Sequence, residues 1–233
     1  MHLTSKEQSL LAGHAGPAAQ KAMRILETLG RIYGAERMIP VHSVQISGVS
    51  YANLGEAGLD WLTEMAEGGG QAQVLNTLNP AGMDVENYQV LGIDEAFARN
   101  QRRVLQAFEQ MGVVATCSCT PYLFGNLPHF GEHIAWAESS AVCYANSVLG
   151  ARTNREGGPS ALAASLTGRT PAYGFHLEIN RRPTLQVRLE AALTENPDFG
   201  ALGKVIGDKI QSETGTKIPY ITGIEDASLE NLK

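Results

Sequence analysis

The chain has 233 residues, enough to bury a substantial core in one large α/β domain or two small ones. Its 18 Lys and Arg against 24 Asp and Glu give a net charge of −6, so composition indicates neither nucleic acid nor an anionic membrane as a partner. No apolar run approaches the ~20 residues that span a bilayer, and no signal peptide is visible. Three cysteines do not make a disulfide framework, which favours a reducing, cytoplasmic compartment.

The first half of the chain alternates predicted helices with predicted strands. A capping box at Thr4 starts a short helix, and apolar residues at three- and four-residue steps predict longer ones. Alternating apolar and polar residues predict strands. The predicted elements are, in chain order, helices over 4–11 and 18–33, a strand over 42–47, a helix over 56–67, a strand over 72–78, a helix over 94–111 and a strand over 113–116. This order predicts an α/β fold with a mainly parallel sheet layered with helices.

The second half of the chain is predicted less regularly. Its elements are a helix over 131–149, a polar loop over 150–159, a helix over 159–167, strands over 173–178 and 184–190, a helix over 199–211, a strand over 217–221 and the start of a helix over 226–233. Because a domain rarely ends inside a helix, the sequence predicts that the catalytic region over 1–233 is truncated at its C-terminus.

Three predicted strands are followed by small polar loops at 48–50, 77–80 and 117–119. In open α/β sheets, ligands bind outside the carboxyl ends of the strands. Any one of these loops is equally explained as a plain turn, since Gly, Ser, Asn and Pro are ordinary turn residues. Three such loops at equivalent positions, one of them bearing thiols, predict a shared site.

The thiols and histidines alone indicate no known metal motif. Cys117 and Cys119 lack zinc-ribbon spacing, and Pro and Gly between His129 and His133 make a helical pair doubtful. Cys143 lies on an apolar predicted helix and is expected to be a small buried hydrophobe. Nucleophilic cysteine catalysis would need a histidine base within reach, which the sequence does not locate.

The motifs of other common enzyme classes are missing. The sequence has no G-x-G-x-x-G after a strand, no G-x-x-x-x-G-K-S/T and no G-x-S-x-G. Dinucleotide oxidoreductases, P-loop enzymes and α/β-hydrolases are therefore disfavoured.

Five segments together resemble the aconitase X family over essentially the whole chain. These segments are 47–51, 77–82, 119–126, 133–141 and 145–159. The resemblance implies an aconitase-like fold and a hydro-lyase of the large-subunit type. It also implies an iron–sulfur cluster, 4Fe-4S first, with 2Fe-2S or mononuclear iron as alternatives. The implied reaction is dehydration of mevalonate 5-phosphate to an anhydromevalonate phosphate, in an alternative mevalonate route of isoprenoid biosynthesis. Dehydration of cis-3-hydroxy-L-proline is the alternative.

The resemblance also implies roles for particular residues. The first iron ligand would be Cys119, with Cys117 an accessory thiol, and the catalytic pair beside the metal would be Glu138 and Ser139. The substrate-binding residues would be Gly48, Val49, Ser50, Asn79 and Pro80. In the family, two further cysteine ligands lie beyond the positions that this chain contains, and a small swivelling subunit or domain contributes a catalytic serine.

The chemistry of dehydration is consistent with this resemblance. Removing a weakly acidic α-proton needs a base, and hydroxide leaves more readily from a Lewis acid. Arg155 could bind anionic groups of the substrate, but an internal ion pair among Arg152, Arg155 and Glu156 is an equally good interpretation. An alternative function of a different class is that of a non-catalytic binding or assembly module that retains the scaffold.

Overall fold

The structure, a computed structural model, describes residues 1–211, 218–224, 227–228 and 231. Its helices are α1 (Ser5–Leu11), α2 (Pro17–Ile32), α3 (Tyr51–Glu67), α4 (Glu95–Gln110), α5 (Ser139–Ser147), α6 (Gly158–Thr167) and α7 (Asn196–Gln211). Its strands are β1 (Met38–Pro40), β2 (Ser43–Ile46), β3 (Leu75–Leu78), β4 (Ala135–Trp136), β5 (Arg169–Pro171), β6 (Leu185–Arg188) and β7 (Pro219–Thr222). The chain divides into two compact units, Met1–His176 and Leu177–Lys233.

The first unit is built on a parallel sheet in the order β3-β2-β4. In its register Val44 lies opposite Asn76 on one side and Ala135 on the other. Single parallel bridges extend the sheet at both edges, from Thr77 to Val114 and from Trp136 to Arg155. A parallel sheet layered with helices confirms the predicted α/β class.

Helices cover this sheet because each carries an apolar face toward it. On α2 the buried residues include Met23 and Leu26, and on α4 they include Val104 and Phe108. α6 is buried over nearly its whole length, which is typical of a helix enclosed by its neighbours. Burial of each large side chain stabilises the fold by about 1.5–3 kcal/mol.

The predicted strand over 113–116 is wrong, since only one bridge forms there. Within 113–116, backbone hydrogen bonds to β3 form at Val114 alone, where the Leu78 N–H donates to the Val114 carbonyl at 3.2 Å. Side chains add to them: the Val114 N–H also donates to Asn76 Oδ1 at 3.3 Å, and the Thr116 hydroxyl donates to the Leu78 carbonyl at 3.0 Å. Cys117 then turns into the left-handed region with φ 47°. The segment still runs beside β3, so the loop after it keeps its predicted position.

The single helix predicted over 131–149 is also wrong. The structure has strand β4, then a short loop, then α5. Ile134, Ala135, Trp136 and Ala137 are all buried, which is typical of a parallel strand covered on both faces. The apolar residues at helical spacing over 131–149 therefore belong to two different elements, β4 and α5. Residues 135–136 form a strand because they pair with β2.

The strand predicted over 173–178 is wrong as well, and β1 and β5, which pair antiparallel, were missed. A short 3-10 turn occupies Gly174–His176. The Asn154 side chain holds this turn, because its Oδ1 accepts from the Phe175 N–H at 2.8 Å and its Nδ2 donates to the Tyr173 carbonyl at 3.1 Å. A turn fixed by a distant side chain leaves no periodic signal.

The second unit pairs β6 with β7 in parallel, with Leu185 opposite Pro219. The strand predicted over 184–190 and the helix over 199–211 are confirmed, and the strand over 217–221 is found slightly later, as β7. The helix start predicted over 226–233 falls largely outside the described residues. Across the part of the chain that the structure describes, no helix is long and apolar enough to cross a membrane.

Candidate functional site

The predicted loops meet at one edge of the parallel sheet, past the carboxyl ends of its strands. Backbone hydrogen bonds place them there: the Asn79 N–H donates to the Ile46 carbonyl at 2.8 Å, and the Ser118 N–H donates to the Leu78 carbonyl at 3.0 Å. The Ala137 N–H donates to the Gln45 carbonyl at 3.0 Å, so the loop after β4 joins the same edge. This gathering confirms that the loops lie at the same edge of the sheet, and their role as a shared binding site stays a prediction.

A chain of hydrogen bonds runs across this edge from Gln45 through Asn79 to Glu138. Gln45 Nε2 donates to Asn79 Oδ1 at 3.4 Å, and Asn79 Nδ2 donates to Glu138 Oε2 at 2.6 Å. Gln45 Oε1 also accepts from the Glu138 backbone N–H at 2.8 Å. Donation by Gln45 fixes the Asn79 amide with its NH₂ group toward Glu138. The carboxylate therefore has one defined hydrogen-bonded orientation.

Glu138 is the N-cap residue of α5, and Ser139 is the first residue of that helix. The Ser139 hydroxyl donates to Glu138 Oε1 at 3.3 Å. Glu138 is half-buried and Ser139 is exposed. The two predicted catalytic residues thus form one hydrogen-bonded pair that solvent and a small ligand can reach.

The loop after β2 brings its three predicted binding residues to the site in different ways. Gly48 is exposed and has φ 78°, whereas the Val49 side chain is only 1% exposed and packs in the core. Val49 can therefore meet a ligand only through its backbone. Ser50 caps α3, accepting from the Ala52 N–H at 3.3 Å. Pro80 is exposed in the neighbouring loop.

An apolar cavity of about 360 Å³ adjoins this loop. Its lining includes Ser47, Gly48 and Gly158, together with Leu54 and Trp61 of α3. The approach at Gly158 is tight, because a Cβ there would lie 2.7 Å from the Ser47 carbonyl oxygen. Only glycine fits at this first position of α6 without a backbone shift.

The three thiols have different environments. Cys119 is exposed at the site edge. Cys117 is half-buried, and this burial raises the pKa of its thiol. Cys143 is exposed on α5, so its prediction as a small buried hydrophobe is wrong: its neighbours Val142 and Tyr144 take the buried positions.

Metal ligands are sparse at this edge. The described residues include no group of three or more His, Cys, Asp or Glu side chains able to hold a metal ion. A cluster on three cysteines therefore does not fit within the described residues. The role of Cys119 as an iron ligand stays a prediction, and it would supply one ligand only.

The polar loop after α5 separates Arg155 from Glu156. Arg155 is exposed, next to the end of β4, whereas Glu156 is 6% exposed. Hydroxyls bind the carboxylate, with the Ser160 hydroxyl at 2.6 Å and that of Thr170 at 3.5 Å. Burial raises the pKa of Glu156, and these two hydrogen bonds oppose the shift. The ion-pair interpretation is therefore wrong for Glu156.

Two buried glutamines were missed by sequence reasoning, Gln45 and Gln101, each 0% exposed. Gln45 alternates with Val44 and Ile46, a pattern that predicts a solvent-facing side chain. Gln101 lies on the buried face of α4. The one signal in the sequence is a glutamine at a position surrounded by core residues. A buried amide needs hydrogen-bond partners, so such a glutamine indicates a polar contact inside the fold.

Known proteins resemble the chain along its whole length. The family model for the first domain of aconitase X matches residues 1–179. The phosphomevalonate dehydratase large subunit of Methanothermobacter thermautotrophicus is 51% identical over 233 residues, 100% of this chain and 57% of that protein. The cis-3-hydroxy-L-proline dehydratase of Hypocrea jecorina is 34% identical over 225 residues, 97% of this chain and 37% of that protein. The chain thus spans little more than half the length of the first of these relatives.

A solved structure gives the same result for the fold. The crystal structure of Thermococcus kodakaraensis aconitase X in its holo-form superposes with a TM-score of 0.88 at 47% identity, covering 100% of this chain and 57% of that one. This similarity confirms the aconitase-like fold expected from the sequence. Because the family model covers most of the chain and the sequence motifs agree with it, the chain belongs to the aconitase X family.

Proposed function

We propose that the chain provides the substrate-binding loops and the proton-transferring carboxylate of a hydro-lyase that dehydrates mevalonate 5-phosphate to an anhydromevalonate phosphate. The observation that carries the proposal is the Glu138 carboxylate, held by Asn79 at 2.6 Å on the edge where the loops meet. The 51% identity to a phosphomevalonate dehydratase large subunit supports this substrate.

Glu138 is proposed as the base that removes the α-proton of the β-hydroxy acid. A carboxylate serves as a general base when it lies within hydrogen-bond reach of the proton. The Ser139 hydroxyl at 3.3 Å and the Asn79 amide orient its two oxygens. Asn79, Pro80 and the loop over 48–50 would hold the substrate's polar groups, and Arg155 would bind an anionic group.

Iron is proposed as the cofactor, as a 4Fe-4S cluster in preference to 2Fe-2S or mononuclear iron, with Cys119 as one ligand. Thiolate suits iron–sulfur chemistry, and the bound cluster supplies Lewis-acid assistance to hydroxide departure. Since the described residues hold no group of three candidate ligands, the remaining ligands would come from residues outside that part of the chain.

The proposed partner is a small subunit, because the relatives at 51% and 49% identity are named as large subunits. The cysteines are free thiols, which suits a reducing, cytoplasmic compartment. A second candidate substrate is cis-3-hydroxy-L-proline, on the strength of the 34% identical relative. A binding module without catalysis is the competing function.

One experiment separates these possibilities. The full-length gene product and its small subunit, called the assembled enzyme below, would be assayed for iron content and for dehydration of both substrates. We expect turnover of mevalonate 5-phosphate and, in Cys119→Ser, loss of iron and activity. Cys143→Ser, which alters another exposed thiol, is the matched control and should keep both. If neither substrate is dehydrated, the proposal fails; if Cys119→Ser keeps its iron and activity, the ligand assignment fails.

A further inference from the structure

The amide of Gln101 connects the two loops that carry the proposed substrate-binding residues. Its Oε1 accepts from the Tyr51 N–H at 2.9 Å and from the Gly82 N–H at 3.2 Å. Its Nε2 donates to the Val49 carbonyl at 2.9 Å. One side chain from α4 therefore satisfies three backbone groups on both sides of the site.

The two loops lie close together at this point. A Cβ on Gly82 would lie 2.2 Å from Ser50 Oγ and 3.0 Å from Gln101 Oε1. The absence of a side chain at Gly82 lets the loop over 79–82 approach Ser50. Gln101 then joins the two loops through hydrogen bonds to both, so their spacing depends on one amide.

Gln101 is a buried polar side chain, and its amide suits it to hold the backbone of both loops. It is 0% exposed, on the face of α4 that also buries Val104 and Phe108. A buried amide costs free energy unless it is hydrogen-bonded. Removing it would leave the buried Val49 carbonyl without its partner, which is more costly than losing an average hydrogen bond. It would also remove the acceptor of the Tyr51 and Gly82 N–H groups.

We propose that Gln101 is a positioning residue for substrate binding: it sets the distance between the loop over 48–50 and the loop over 79–82. This inference rests on the proposed function of those loops. Glu138 is held across the sheet edge by Gln45 and Asn79, and Ser139 is hydrogen-bonded to Glu138. Asn79 is itself anchored through its backbone N–H, which donates to the Ile46 carbonyl at 2.8 Å, so these hydrogen bonds do not pass through Gln101. Loss of Gln101 should therefore weaken binding far more than it slows chemistry.

The test is Gln101→Met in the assembled enzyme, a change that keeps the length of the side chain and removes all three hydrogen bonds. We expect KM and the directly measured Kd for mevalonate 5-phosphate to rise about tenfold or more, with kcat within about threefold of the parent's. Gln106→Met, an exposed glutamine of the same helix, is the matched control and should leave both constants unchanged. An unchanged KM in folded Gln101→Met, or a fall in kcat alone, would overturn the proposal.

Amide hydrogen exchange provides a readout that does not need activity. We expect the Tyr51 and Gly82 amides to be protected in the parent and to exchange about tenfold faster or more in Gln101→Met. If Gln101→Met does not fold, hydrogen exchange of the parent protein still tests the proposal. Tyr51 and Gly82 amides that are unprotected in the parent would overturn it. A parent that does not dehydrate mevalonate 5-phosphate would contradict the proposed function instead, while the exchange rates would still decide whether Gln101 holds the loops.

Discussion

The side-chain amide nitrogen of Asn79 lies 2.6 Å from a carboxylate oxygen of Glu138, although the two residues are 59 positions apart. The parallel pairing of β3 and β4 with β2 brings them together, because all three strands end at the same edge of the sheet. This contact joins a proposed substrate-binding residue to the proposed base.

Replacing Asn79 tests that contact. Asn79→Ala removes the donor to Glu138 together with a proposed substrate contact, so we expect kcat/KM of the assembled enzyme to fall about 10²-fold, a barrier increase of about 2.7 kcal/mol. Steady-state kinetics with mevalonate 5-phosphate would measure it. Asn100→Ala, which removes a hydrogen bond from Arg103 within α4 and leaves the Glu138 hydrogen bonds in place, is the control. A loss smaller than about threefold would remove Asn79 from the site.

Replacing Gln45 should lower kcat, whereas replacing Gln101 should weaken substrate binding. Gln45→Met removes the acceptor of the Glu138 N–H and the donor to Asn79 from a fully buried position. We expect kcat to fall about tenfold, and the free energy of unfolding to fall by about 1–3 kcal/mol. Chemical denaturation and kinetics on the same preparation would report both values. A variant of unchanged kcat would show that the Gln45 hydrogen bonds serve stability alone.

Gly158 and Gly157 form a matched pair for testing how closely the start of α6 approaches the loop after β2. A Cβ on Gly158 would lie 2.7 Å from the Ser47 carbonyl oxygen, whereas on Gly157 the nearest atom is 3.8 Å away and φ is −81°. We expect Gly158→Ala to lower the free energy of unfolding by about 1–3 kcal/mol and to raise KM. Gly157→Ala should be tolerated. Equal effects of the two changes would contradict the close approach.

The buried carboxyl of Glu156 should make stability depend on pH. Burial raises its pKa above the ordinary value of 4.5, so the folded state binds the proton more tightly than the unfolded state. The free energy of unfolding should therefore fall as pH rises from about 4.5 through the raised pKa of Glu156. Glu156→Gln removes this dependence, which denaturation curves over this pH range would measure.

The control for Glu156 is Glu67→Gln, a change at an exposed carboxylate. It should keep the pH dependence of the parent protein. If Glu156→Gln and the parent show the same slope of unfolding free energy against pH, the carboxyl of Glu156 is not responsible for it.

The position of the candidate site could be predicted from the sequence, whereas the hydrogen bonds that connect its residues could not. The loops after 42–47 and 72–78 follow strands with a clear apolar alternation, and parallel strands bring such loops together. Gln45 and Gln101 act through buried partners far away in the sequence, and periodicity carries no information about those partners. β4 was missed because pairing with β2 outweighs the helical spacing of its apolar neighbours.

The central claim, that Glu138 is the base of a dehydration, is tested most directly by Glu138→Gln in the assembled enzyme. The amide keeps the shape of the side chain but cannot accept the α-proton. We expect Kd for mevalonate 5-phosphate to stay within about threefold of the parent value and kcat for dehydration to fall about 10²-fold to 10⁴-fold. A Glu138→Gln enzyme that retains more than about a tenth of the parent kcat would contradict the account.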